Sequence, residues 1–186
     1  MIPEDVPVVF GAGMLPLWWH PRPERPTYEP GLFEPTGPPR EDSANRKPSG
    51  GLWTSPMVTY RGREMTAYEA WAHGEERVAT LYHLPARQVT ALPHAVVAVI
   101  DAPEHWKALY AAFPLRHEPW VPPAWHIGRY PFGPQEEDLD WAGLAAHADA
   151  LALTGTALSW SNTSLTSLAG WDMPTVYWLR PRFTVH

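Results

Sequence analysis

Residues 47–56 read KPSGGLWTSP: two adjacent glycines, then Leu52, Trp53, Thr54 and Ser55, closed by a proline. The apolar and β-favouring residues after the glycines predict a short strand beginning at Gly51. Glycine adopts backbone conformations that other residues avoid, and it lets another group approach the chain closely. A pair of them at a strand entry marks a place where the backbone must turn sharply or lie against something. The nearly fifty residues before this stretch are crowded with proline.

Upstream, residues 15–20 (LPLWWH) form a short apolar run bounded by Pro16 and Pro21 and predict a strand. Between the two strands, residues from about 21 to 49 predict a long irregular connection, since proline fixes φ and removes a donor. Loops of that length in a compact chain are more often functional than idle. Downstream, REMTAYEAWAHGEERVA (63–79) places Met65, Tyr68, Trp71 and Ala72 at helical spacing and predicts an amphipathic helix.

Residues 78–84 and 95–101 are strand-like, the second apolar enough for burial on both faces. DAPEHWKALYAAF (101–113) predicts a helix with Asp101 as its cap, an early proline and a stop at Pro114. A further helix over 136–149, a strand over 150–155 ended by Gly155, a polar loop over 159–167 and a strand over 175–179 complete the chain. No period of twenty to fifty residues repeats. Short strands mixed with few helices predict an α+β fold with a split, short-stranded sheet, in a single domain over 1–186.

Composition narrows the partners. Hydrophobic residues make up 45% of the 186 and charged residues 18%, as in a globular chain, with 23 prolines and 11 tryptophans as the anomalies. A net charge of −6 without a lysine or arginine run gives no strong nucleic-acid-binding signal. Cysteine is absent, which excludes disulfides and thiolate chemistry. The N-terminal MIPEDVPVVFGAGMLPLWWHPRP carries acids before any base, unlike a signal peptide, and no apolar run approaches a membrane span, so no membrane partner and a cytoplasmic protein are expected.

No GxxxxGK[ST], GxSxG or HExxH occurs. His117, His126 and His147 match no zinc or iron spacing, and no metal is expected.

Taken together, the histidine strand LPLWWH, the strand GGLWTS and the helix after it resemble the ADP-ribosyltransferase superfamily on its diphtheria-toxin and poly(ADP-ribose)-polymerase side. In that family a first strand presents a histidine to the NAD ribose. A second, of the form G-[IL]-Y-F-[AS]-S, presents an aromatic ring against which the nicotinamide lies. The resemblance implies NAD as substrate, with His20, Gly51, Trp53, Thr54 and Ser55 on the cofactor and Trp53 in place of the usual tyrosine. Tryptophan suits a planar cationic ring, through stacking and cation–π attraction. The plainer reading of the same residues is a glycine-eased turn into a strand whose Trp53 fills the core.

The family's catalytic glutamate stands near the start of a late strand and stabilises the oxocarbenium-like cation as nicotinamide leaves, which is electrostatic catalysis. The late strand here, in GWDMPTVYWLRPRFTV, has Pro174 and Thr175 at that place. Asp172 is the nearest carboxylate, and a two-residue offset keeps a side chain on one strand face. Gln135, Glu136 and Glu137 satisfy the toxin branch's Q-x-E, yet read more simply as the acidic first turn of a helix. Two functions of different class follow: an NAD-dependent transferase with an unknown acceptor, and a catalytically degenerate module of the same fold, a phage or host-defence protein that binds a protein partner through its proline- and tryptophan-rich loops. A virion-associated structural role has no positive feature in its favour.

Overall fold

The computed structural model describes residues 1–21, 27–39, 48–75, 85–115, 139–161 and 171–186. Its centre is β9, Val96–Ile100, whose sequence VVAVI carries no polar side chain. Such a strand is stable only when covered on both faces. It runs parallel to β10 (Ala150–Leu153) and antiparallel to the edge strand β1 (Val8–Phe10), whose side chains are exposed. β11 (Thr175–Trp178) and then β5 (Leu52–Thr54) complete the sheet in the order β1-β9-β10-β11-β5, both of the added pairings antiparallel.

A second sheet has the order β12-β8-β2, with β2 at Leu17–Trp19, β8 at Arg87–Ala91 and β12 at Phe183–Val185. The two sheets meet where Trp18 and Ser55 exchange backbone hydrogen bonds of 2.9 Å in each direction. The fold is therefore mixed α+β, with several short-stranded sheets, and each face of the larger sheet has its own core. On one face Ala98, Ile100, Leu151, Leu153 and Tyr177 pack with Trp106 and Leu109 of α2 (Pro103–Ala112), Trp141 and Leu144 of α3 (Trp141–Ala145) and Ala157 of α4 (Gly155–Ser161). On the other, Val97, Ala150, Val176 and Trp178 pack against Leu17, Val89 and Phe183 of the second sheet.

Asp149, at the mouth of β10, ties the strands together. Its buried carboxylate accepts from the Val96 amide at 2.8 Å and pairs with Arg180 at 2.8 Å, while its carbonyl accepts from Leu179 and Arg180.

Several elements differ from the sequence reading. The expected helix over 63–79 begins later. Residues Met57–Tyr60 (β6) and Arg63–Thr66 (β7) form a hairpin, and α1 spans Ala67–Gly74. Arg61 and Gly62 both take positive φ (50° and 76°), the pattern of a tight hairpin turn. The proline-rich connection is not wholly irregular: Pro30–Leu32 form a 3-10 turn, and β3 (Gly37–Pro39) pairs with β4 (Pro48–Ser49). Asp101 is not the cap of α2. Ala102 holds that position, and the Asp101 carboxylate instead meets His105 at 2.7 Å. Gly155 opens α4 rather than closing the strand, with the Ala157 amide donating to Thr154 Oγ1. The expected strand over 78–84, Gln135, Glu136 and Glu137, and most of the polar loop after residue 161 lie outside the described residues.

Candidate functional site

Gly50 and Gly51 both stand in the left-handed region, at φ 70° and 63°, where other residues are strained. A Cβ on Gly50 would lie 2.2 Å from the Pro35 carbonyl oxygen, and one on Gly51 would lie 2.5 Å from the ring and hydroxyl of Tyr177. The close approach that the glycine pair permits is thus to groups of the chain itself. Tyr177 is fully buried, with its hydroxyl 3.1 Å from the carbonyls of Ser49 and Gly50. Burial pushes its phenol up to about 12.

Alternation along β5 then divides the candidate residues. Leu52 and Thr54 face the core beneath the second sheet, whereas Trp53 and Ser55 face the opposite way. Thr54 is fully engaged there: its hydroxyl donates to the Val176 carbonyl at 2.9 Å and accepts from Trp178 Nε1 at 3.1 Å. It does not share a face with Trp53. Trp53 is half-buried, 4.4 Å from the Tyr177 ring and 4.7 Å from that of Trp171, which stacks in turn on Trp141. Ser55 is 3% exposed and its Oγ has no hydrogen-bond partner.

His20 follows β2, on the face that Trp18 shares and that Leu17 and Trp19 do not. Trp18 is bridged to Ser55, and His20 and Trp53 each lie two residues from that bridge, in opposite chain directions. Among the described residues the pairing ends at that bridge, so His20 and Trp53 share the face set by alternation along each strand rather than a paired register. His20 is held from the other side by α1. Its Nε2 lies 2.8 Å from Thr66 Oγ1, and its ring lies 4.7 Å from that of Tyr68. Burial lowers its pKa below the usual 6.5, with the Glu69 carboxylate partly opposing that, so the imidazole is neutral at neutral pH.

Thr66 and Glu69 were not singled out from the sequence, although T-x-x-E ahead of a helix is a capping signal that was there to be read. They form a complete capping box. The Glu69 amide donates to Thr66 Oγ1 at 3.1 Å, and the Thr66 amide donates to Glu69 Oε2 at 2.8 Å.

Asp172 lies ahead of β11, not on it, so the strand-face rule used to choose it does not operate. It is exposed, at the rim of an open cleft of about 240 Å³ whose walls include Val58, Tyr60, Trp71, Met173 and Pro174. Neither His20 nor Trp53 lines that cleft. The link runs through α1, where Tyr68 stacks on Trp71 at 5.7 Å between His20 and the cleft wall. The structure therefore brings His20, Trp53 and Ser55 to one face, leaves Thr54 on the other, and sets Asp172 in a neighbouring cleft.

Among the described residues no three histidine, aspartate or glutamate side chains converge as metal ligands. No helix of the described residues is long and apolar enough to cross a membrane. Neither a known protein family, nor a characterised protein, nor a solved structure matches this chain.

Proposed function

We propose that the protein is a single-domain, NAD-dependent ADP-ribosyltransferase-like protein of the cytoplasm that transfers ADP-ribose to an acceptor. The placement of His20 and Trp53 on one face, each two residues from the Trp18–Ser55 bridge, supports this reading. A neutral imidazole hydrogen-bonds a ribose hydroxyl, and Trp53, half-buried on the same face, is the aromatic ring for the nicotinamide. Asp172 is the carboxylate that would meet the developing positive charge. Calorimetric titration with NAD, run beside chromatographic detection of released nicotinamide, tests it. Heat with release supports a transferase, and the absence of both refutes it.

A second reading has its own observation. Asp172 is exposed and lines a cleft that excludes His20 and Trp53, as in a module that keeps the fold without the chemistry and works through protein contacts. Heat without release, unchanged in Asp172→Asn, favours that module.

A further inference from the structure

Thr66 Oγ1 lies at the meeting point of three contacts: His20 Nε2 at 2.8 Å, the Glu69 amide at 3.1 Å and Glu69 Oε2 at 3.0 Å. A threonine hydroxyl has one hydrogen and two lone pairs. The Glu69 amide takes one lone pair as its acceptor. The single hydrogen then goes either to the Glu69 carboxylate or to His20.

If it went to His20, the carboxylate oxygen would face a bare hydroxyl oxygen at 3.0 Å, a repulsive contact. If it goes to the carboxylate, a charge-assisted bond forms. The second lone pair then accepts from His20, and all three contacts are satisfied. The second arrangement requires the proton on Nε2. Because burial keeps the ring neutral, Nδ1 is then a bare acceptor, and among the described residues nothing occupies it.

We propose that Thr66 and Glu69 are positioning residues that hold His20 as its Nε2–H tautomer, so that the ligand group His20 takes through Nδ1 is a hydrogen-bond donor. The ligand's identity as NAD rests on the function proposed above; the tautomer does not. Glu69 is the carboxylate that bears on the ring from α1, and Tyr68 fixes its plane from the same helix. The capping box thus does two tasks with one hydroxyl: it starts α1 and orients an imidazole 46 residues away.

Long-range proton–nitrogen correlation spectra of ¹⁵N-labelled protein at neutral pH, without NAD, test the tautomer, with His20 assigned from its loss in His20→Asn. The wild type is expected to show a protonated Nε2 and a bare Nδ1. In Glu69→Ala the Thr66 hydrogen is released toward His20, and the ring is expected to move to the Nδ1–H form. Glu69→Gln retains an acceptor oxygen and is expected to keep the wild-type form, so it serves even if the alanine variant fails to fold. A wild-type Nδ1–H ring, or a folded Glu69→Ala that keeps Nε2–H, overturns the proposal. NAD titration of the same proteins is expected to show about a tenfold weaker affinity in Glu69→Ala and none in Glu69→Gln, the scale of one hydrogen bond. A correct tautomer in a protein that ignores NAD would overturn the proposed function and leave the relay standing.

Discussion

Replacing Gly51 by alanine distinguishes a glycine kept for a ligand from one kept for the fold. At φ 63° an alanine is disfavoured by about 1–2 kcal/mol relative to ordinary backbone. Its Cβ would also lie 2.5 Å from Tyr177 Cε2, Cζ and the hydroxyl. That ring has little room to retreat, because Trp53 lies on it at 4.4 Å and its hydroxyl is held by backbone carbonyls. Relieving an overlap of this kind in a packed core costs about 1–3 kcal/mol. The expected loss is therefore about 2–5 kcal/mol. Gly62 is the control: its φ is 76° and nothing lies within 4 Å of an added Cβ, so alanine there carries only the backbone part. Urea unfolding followed by tryptophan fluorescence reads both as shifts of midpoint at constant slope. Losses equal to within about 0.5 kcal/mol, the scatter of ordinary surface changes, would refute the Tyr177 contact as the reason for the glycine.

Trp53→Ala is expected to lose about 2 kcal/mol of stability, less than the ~3–5 of a fully buried ring, and to weaken NAD binding; wild-type affinity in the folded variant by calorimetry would remove Trp53 from the site. His20 contributes stability that is complete above pH 6.5, the unfolded value, and declines as pH falls from there toward its lower folded pKa, because the unfolded chain takes up the proton first. Urea midpoints measured at successive pH values should lose that slope in His20→Asn, and an unchanged slope would contradict the burial argument. Asp149→Ala leaves the Val96 amide without its acceptor, while the partly exposed Arg180 guanidinium stays solvated, and is expected to cost about 1–3 kcal/mol, seen as a lowered melting temperature; an unchanged melting temperature would mean that the clamp is dispensable.

Elements whose residues interact with near neighbours were readable. The run VVAVI could only be a doubly covered strand, and TVYW and LWT fell where their apolar residues put them. The β6–β7 hairpin was missed because Met65 happens to continue the helical spacing of Tyr68 and Trp71, while the turn that decides the matter rests on Arg61, a residue without a strong turn preference. Pairings distant in sequence left no local trace. Nothing in GGLWTS announces that its glycines fit around Tyr177, 126 residues on, or that Thr54 would spend its hydroxyl on Trp178. His20 and Trp53 were chosen by motif order alone, yet they fall on one face because both strands alternate from the same bridge. Asp172 was chosen by a strand rule applied three residues before the strand begins.

The junction between the two sheets has a mechanical consequence. Among the described residues its backbone pairing is one bridge, two hydrogen bonds between Trp18 and Ser55 worth together about 2 kcal/mol, laid beside the apolar core that the two sheets share. A one-residue slip along it is blocked, because Leu17 and Trp19 would leave their core and Trp18 and His20 would have to enter it. Separation is opposed by the same core, since it would uncover Leu17, Val89 and Phe183 where they pack on Val97, Ala150, Val176 and Trp178. The seam therefore resists gaping as well as sliding, its alignment is set by packing more than by its two hydrogen bonds, and the amide hydrogens of Trp18 and Ser55 are its gauge in an exchange experiment.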